Sequence, residues 1–84
     1  MHLDTRTVKV SNTWTLITNK TALIQFNDEM YLAITHGTVP TESVGIVMQK
    51  YEKHLNGGDH LSVWAKSIYG GTNIESVRIM EAVS

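Results

Sequence analysis

The side chains of this sequence with chemical potential are four histidines, His2, His36, His54 and His60, and the eight carboxylates among which they are scattered. A metal bound by imidazoles needs ligands at a spacing that brings them to one face, and no pair of these histidines has the short separation that places two rings together on a helix. His54, Asp59 and His60 come nearest, yet Gly57–Gly58 interrupts them, so the histidines are expected in solvated loops and no metal is expected. General acid/base work needs paired carboxylates beside a pocket. Asp28, Glu29, Glu42, Glu52, Asp59, Glu75 and Glu81 fall at turns or on polar strand faces, where carboxylates stay in water. A serine nucleophile would sit in a Gly-x-Ser-x-Gly elbow, which the sequence lacks, and Gly70–Gly71 has no helix after it to present an N-terminus to a phosphate. The expectation is a protein that is not an enzyme, with no catalytic residues and no cofactor.

Aromatic residues are the other candidates, because Trp14, Trp64, Tyr31, Tyr51 and Tyr69 are able to stack on sugars or bases or to fill a core. Trp14 opens a Trp14/Leu16 series and is expected inside. Trp64 lies in the stretch from His60 to Ser67, where Leu61, Val63 and Ala65 point one way and Ser62, Trp64 and Lys66 the other. An outward tryptophan on a small domain is often an interface anchor. Ser62, Trp64, Lys66 and Tyr69 are therefore the candidate interface residues, against the alternative of a strand covered on both sides by its own chain.

The same period of two recurs along the chain and predicts the elements that position these residues. Strands are expected over Thr5–Val10, Thr13–Thr18, Ala22–Phe26, Met30–Thr35, Val44–Gln49, His60–Ser67 and about Ile74–Glu81. Tyr51–Asn56 is compatible with a helical turn or a strand. Asn27–Asp28–Glu29 predicts a hairpin between the strands on either side, and Ser67–Thr72 a second one. Thr38–Ser43, with the single proline Pro40, reads as a loop crossing a sheet edge. The fold class is all-β: residues 1–84 form a single β-domain, a small β-sandwich or barrel of about seven short, mainly antiparallel strands.

Composition narrows the function further. The formal charge of −1 and pI near 6.4 do not suit a surface that tracks phosphates, so no nucleic acid is expected as a partner. No window approaches the roughly 20 apolar residues of a membrane span, and the N-terminal residues lack the apolar core of a signal peptide, so synthesis and assembly in the cytoplasm are expected, without a membrane. Cysteine is absent from the sequence, which removes disulfides and thiolate metal sites. A domain of this length buries only about 60–65% of the surface of its unfolded chain, so association with further copies is the economical source of added stability.

Trp14–Thr15–Leu16–Ile17, Ala22–Phe26 with its Asn/Asp turn, Met30–Ile34, Thr38–Val39–Pro40 and Gly58–Asp59–His60–Leu61–Ser62–Val63–Trp64–Ala65–Lys66 stand in a suggestive order. With the closing Val/Ile strand, they resemble a loose group of short tailed-bacteriophage virion proteins. The resemblance spans about residues 13–82; Gly57–Asp59 and Val63–Ser67 match best and Glu52–His54 least. It implies a virion structural protein, a capsid decoration or tail accessory subunit, acting as a homo-oligomer in contact with other capsid or tail subunits. Two other readings compete: a carbohydrate- or receptor-binding module stacking Trp14, Trp64, Tyr31 or Tyr69 on sugar rings, and a small regulator that binds a host protein through a β edge.

Overall fold

Alternating apolar side chains in a chain without helical periodicity bury their oily faces by packing two sheets together or by closing one sheet into a barrel, and this chain forms two sheets. The computed structural model describes residues 2–41, 45–57, 61–68 and 74–83 and contains strands but no helix among them. The strands are β1 (His2–Val10), β2 (Thr15–Thr18), β3 (Ala22–Phe26), β4 (Met30–Thr35), β5 (Ile46–Met48), β6 (Lys53–Asn56), β7 (Ser62–Ser67) and β8 (Glu75–Val83). The segment compatible with helix or strand contains β6, which makes eight strands where about seven were expected.

One sheet has the order β1-β8-β3-β6 and the other β2-β7-β4-β5. Every pairing is antiparallel, with His2 opposite Val83, Thr15 opposite Ala65, Ala22 opposite Asn56 and Met30 opposite Met48. The first strand thus pairs with the last, the second with the seventh, the third with the sixth and the fourth with the fifth. This is one long antiparallel ribbon rolled up so that successive strand pairs land on alternate sheets, the jelly-roll topology of a β-sandwich.

The roll corrects both expected hairpins. β3 and β4 belong to different sheets, as do β7 and β8, and among sequence neighbours only β4 and β5 pair. Asn27–Asp28–Glu29 does reverse the chain, but as an arch from one sheet to the other. Phe26 and Met30, both fully buried, enter the core from opposite sheets instead of sitting side by side on one.

Val10, Ala22, Ile24, Phe26, Val77 and Ile79 from the first sheet meet Ile17, Met30, Leu32, Met48, Val63 and Ala65 from the second. Val63 and Ala65 face inward as the alternation requires. Trp14 does not join them: it is half-buried, and Leu16 is 44% exposed. Leu16 pairs with Trp64, on the outer side, and a bulge between Leu16 and Thr18 turns both Ile17 and Thr18 inward. The inward side of β2 therefore starts after the residues that the sequence pattern favours.

Phe26 is the largest fully buried side chain among the described residues, whereas Leu55 on β6 is 70% exposed. Phe26→Ala is expected to lower stability by about 3–5 kcal/mol. Leu55→Ala should stay within about 0.5 kcal/mol of the parent, both measured by urea unfolding.

Candidate functional site

The outer face of the β2-β7-β4-β5 sheet carries Trp14, Trp64 and Tyr31. Register places Leu16, Trp64 and Ala33 in one row across it, and Lys66, Tyr31 and Val47 in the next. Leu16, Tyr31 and Val47 are each more than a third exposed, although water disfavours such side chains. Lys66 holds its ammonium 4.9 Å from the centre of the Trp14 ring and 5.4 Å from that of Tyr31. A cation over a ring face contributes about 0.5–1 kcal/mol at a site this open and favours both rings lying beside Lys66.

Trp64 is anchored at its edge. Its Nε1 donates to Thr35 Oγ1 at 2.9 Å, and that hydroxyl in turn donates to the Thr38 carbonyl at 2.7 Å. The indole of Trp14 lies against Gly45, where a Cβ would come within 3.0 Å of both Trp14 Cη2 and the Leu32 carbonyl oxygen. Gly45 also has φ of 122°, so both space and backbone call for glycine there. Beside it, Leu32, Ala33, Ile34, Thr35, Gly45 and Ile46 line an open groove of about 400 Å³. A rigid aromatic patch continuous with an apolar groove is equipped to bind another surface by shape and apolar contact.

The four expected interface residues fare differently. Trp64 and Lys66 lie on this face, joined by Tyr31, Trp14 and Leu16. Ser62 shares their register but is only 6% exposed, so it is corrected to a covered position. Tyr69 lies outside the described residues. Tyr31 was detectable from its place in the outward series of β4. Trp14 was not, since its row depends on pairing with β7.

Two polar clusters lie elsewhere. Glu81 is buried, which corrects its expected place in water. Arg6 Nε donates to Glu81 Oε1 at 2.7 Å, Thr18 Oγ1 donates to Glu81 Oε2, and Arg6 also reaches the Ile17 carbonyl at 2.7 Å. The Arg6 hydrogen bond, outweighing burial, holds the Glu81 carboxyl below the usual range. At the other end of β8, burial and a hydrogen bond to Asp28 push Glu75 up, while the same bond pulls Asp28 down, so the two titrate as a pair. Neither lines the groove above.

Among the histidines with described side chains, His36 is exposed as expected. His54 is corrected: it lies half-buried on β6 with Nε2 enclosed, and burial lowers its pKa. No three His, Asp or Glu side chains among the described residues are grouped to hold a metal ion.

No protein-family model matches the chain, and no curated protein or solved structure is significantly similar to it.

Because the Glu81 pKa is depressed on folding, its contribution is present above the unfolded glutamate pKa, about 4.3, and is lost as pH falls through the lower folded value. Glu81→Gln should cost about 1–2 kcal/mol at pH 7, since the partly exposed Arg6 regains some water. Urea unfolding as a function of pH should show the two proteins converging below about pH 4.

Proposed function

We propose that this chain is a virion structural subunit of a tailed bacteriophage, a capsid decoration or tail accessory protein. In this reading it has no catalytic task, and it assembles in several copies and against other virion proteins through the aromatic face of the β2-β7-β4-β5 sheet. The observation that carries the reading is the set of Leu16, Tyr31 and Val47, left open on a face where Trp14, Lys66 and Trp64 are already held in place. Side chains pre-ordered on a sheet lose little further freedom on binding, so apolar contact on this face is converted to affinity efficiently. Fold analogy points the same way, because jelly rolls are used by viral capsid domains, though also by lectins and other proteins. Sugar stacking has less support: Lys66 sits over one face of both Trp14 and Tyr31, two of the rings on which a saccharide would stack.

Sedimentation velocity of the purified chain should show an oligomer. Leu16→Glu combined with Tyr31→Glu, both exposed positions, should weaken it about tenfold or more without lowering the thermal midpoint appreciably. Mass spectrometry of purified particles should detect the chain. A protein that is monomeric at its highest soluble concentration and missing from particles would overturn the proposal.

A further inference from the structure

The other outer face has a different chemistry. On the β1-β8-β3-β6 sheet, register aligns Thr5, Met80, Leu23 and Leu55 in one row and Thr7, Arg78, Gln25 and Lys53 in the next, with Lys9 one step further along β1. Leu55, Leu23 and Met80 are exposed, at 70%, 42% and 39%. Thr5, Leu23, Gln25, Lys53, Arg78, Ile79 and Met80 border an open groove of about 240 Å³ between the rows. Lys9, Arg78 and Lys53 have no carboxylate in these rows among the described residues; the ion pair described, Arg6 with Glu81, is on the inner side. The face thus carries +3 in a chain whose formal charge is −1, leaving −4 for the remainder.

Part of that negative charge is gathered at one pole of the sandwich. Asp28 lies beside Glu75, and Glu29 adjoins Asp28. The Phe26 amide donates to the Glu52 carbonyl at 3.0 Å and the Tyr51 amide to the Phe26 carbonyl at 2.7 Å, which brings Glu52 to the same end. Lys50 is the cation close to Asp28.

We infer that the outer face of the β1-β8-β3-β6 sheet is a head-to-tail contact site for the acidic pole of a second copy of this chain. The inference rests on the reading of the protein as a self-assembling subunit. Two such faces laid directly on each other would oppose +3 with +3, so like charge disfavours that pairing and favours the face of one copy against the pole of the next, a contact that, repeated head to tail, closes into a ring or runs on as a filament. The exposed row of Met80, Leu23 and Leu55 supplies the apolar surface that a contact needs besides charge, and the three cations select an acidic partner. A phosphate backbone is a poorer match, because three cations beside an apolar row give it little to follow.

Light scattering and sedimentation across a salt series test this. Self-association should weaken at least about tenfold between about 0.01 M and 1 M salt, as the screening length falls from about 30 Å to about 3 Å. Lys53→Glu with Arg78→Glu, and separately Glu29→Lys with Glu52→Lys, should each remove the salt-sensitive association. An equimolar mixture of the two variants should restore it, since the reversed face of one then meets the reversed pole of the other, and that rescue excludes misfolding. Association that is insensitive to salt and to both charge reversals, but abolished by Leu16→Glu with Tyr31→Glu, overturns the inference and leaves the proposed function standing. A wild-type chain that is monomeric at every salt concentration overturns the inference, whether or not a foreign acidic protein binds the face, and its absence from particles as well overturns the proposed function.

Discussion

The pairing of β1 with β8 is the constraint on which the rest of the molecule hangs. Nine residue pairs, from His2 opposite Val83 to Val10 opposite Glu75, join segments that lie at opposite ends of the described sequence. Closing such a loop costs chain entropy before any contact forms, so the ladder is stable only when the sheet beneath it is also complete. β8 lies between β1 and β3, and β7 between β2 and β4, which means that each sheet has a late strand as one of its two central strands. Neither half of the chain has a core of its own, and cooperativity follows from topology. The Arg6–Glu81–Thr18 cluster reinforces the same seam: it links residues up to 75 positions apart and joins β1 and β8 to β2 across the gap between the sheets.

What was legible in the sequence, and what was not, divides along the same line. Local alternation determines which side a residue takes, so Ile24 and Phe26, Val63 and Ala65, and Val77 and Ile79 are buried where the pattern puts them. Trp64 and Lys66 likewise lie outside the core. Partner choice is a non-local property. Asn27–Asp28–Glu29 suits an arch as well as a hairpin, because its side chains satisfy a tight reversal without specifying where the chain goes next. Burial of Glu81 was invisible for the same reason, since it requires an arginine that only the roll brings near. β6 was ambiguous because it is a short edge strand, whose polar Lys53 and His54 mask the period of two. The bulge in β2 displaced Trp14 and Leu16 by the smallest possible change, one extra residue that shifts a series to the opposite face.

The finished sandwich has two unlike exteriors. One sheet offers aromatic rings stiffened by a lysine between them, the other an aliphatic row bordered by cations. Their difference originates in two facts of the sequence: Tyr31, Trp64 and Trp14 fall on outward positions of β4, β7 and the approach to β2, while Arg78 and Lys53 share a row of the opposite sheet with Lys9 one step further along β1. A body with unlike sides can distinguish neighbours, which a uniformly polar domain of equal size cannot. The short core makes that surface chemistry more important, because any contact made there would add to a stability that so few buried residues leave modest.

The adjacency of His2 and Val83 has a mechanical corollary. Tension applied to the outer ends of β1 and β8 pulls the two strands apart from their shared end, so the hydrogen bonds between them break one after another, as in opening a zipper. A domain pulled along the strands in shear must rupture many such bonds together and resists far larger forces. Anchored by both ends, this sandwich would yield readily under load, whereas held by its broad sheet faces it would transmit force without the ladder being peeled.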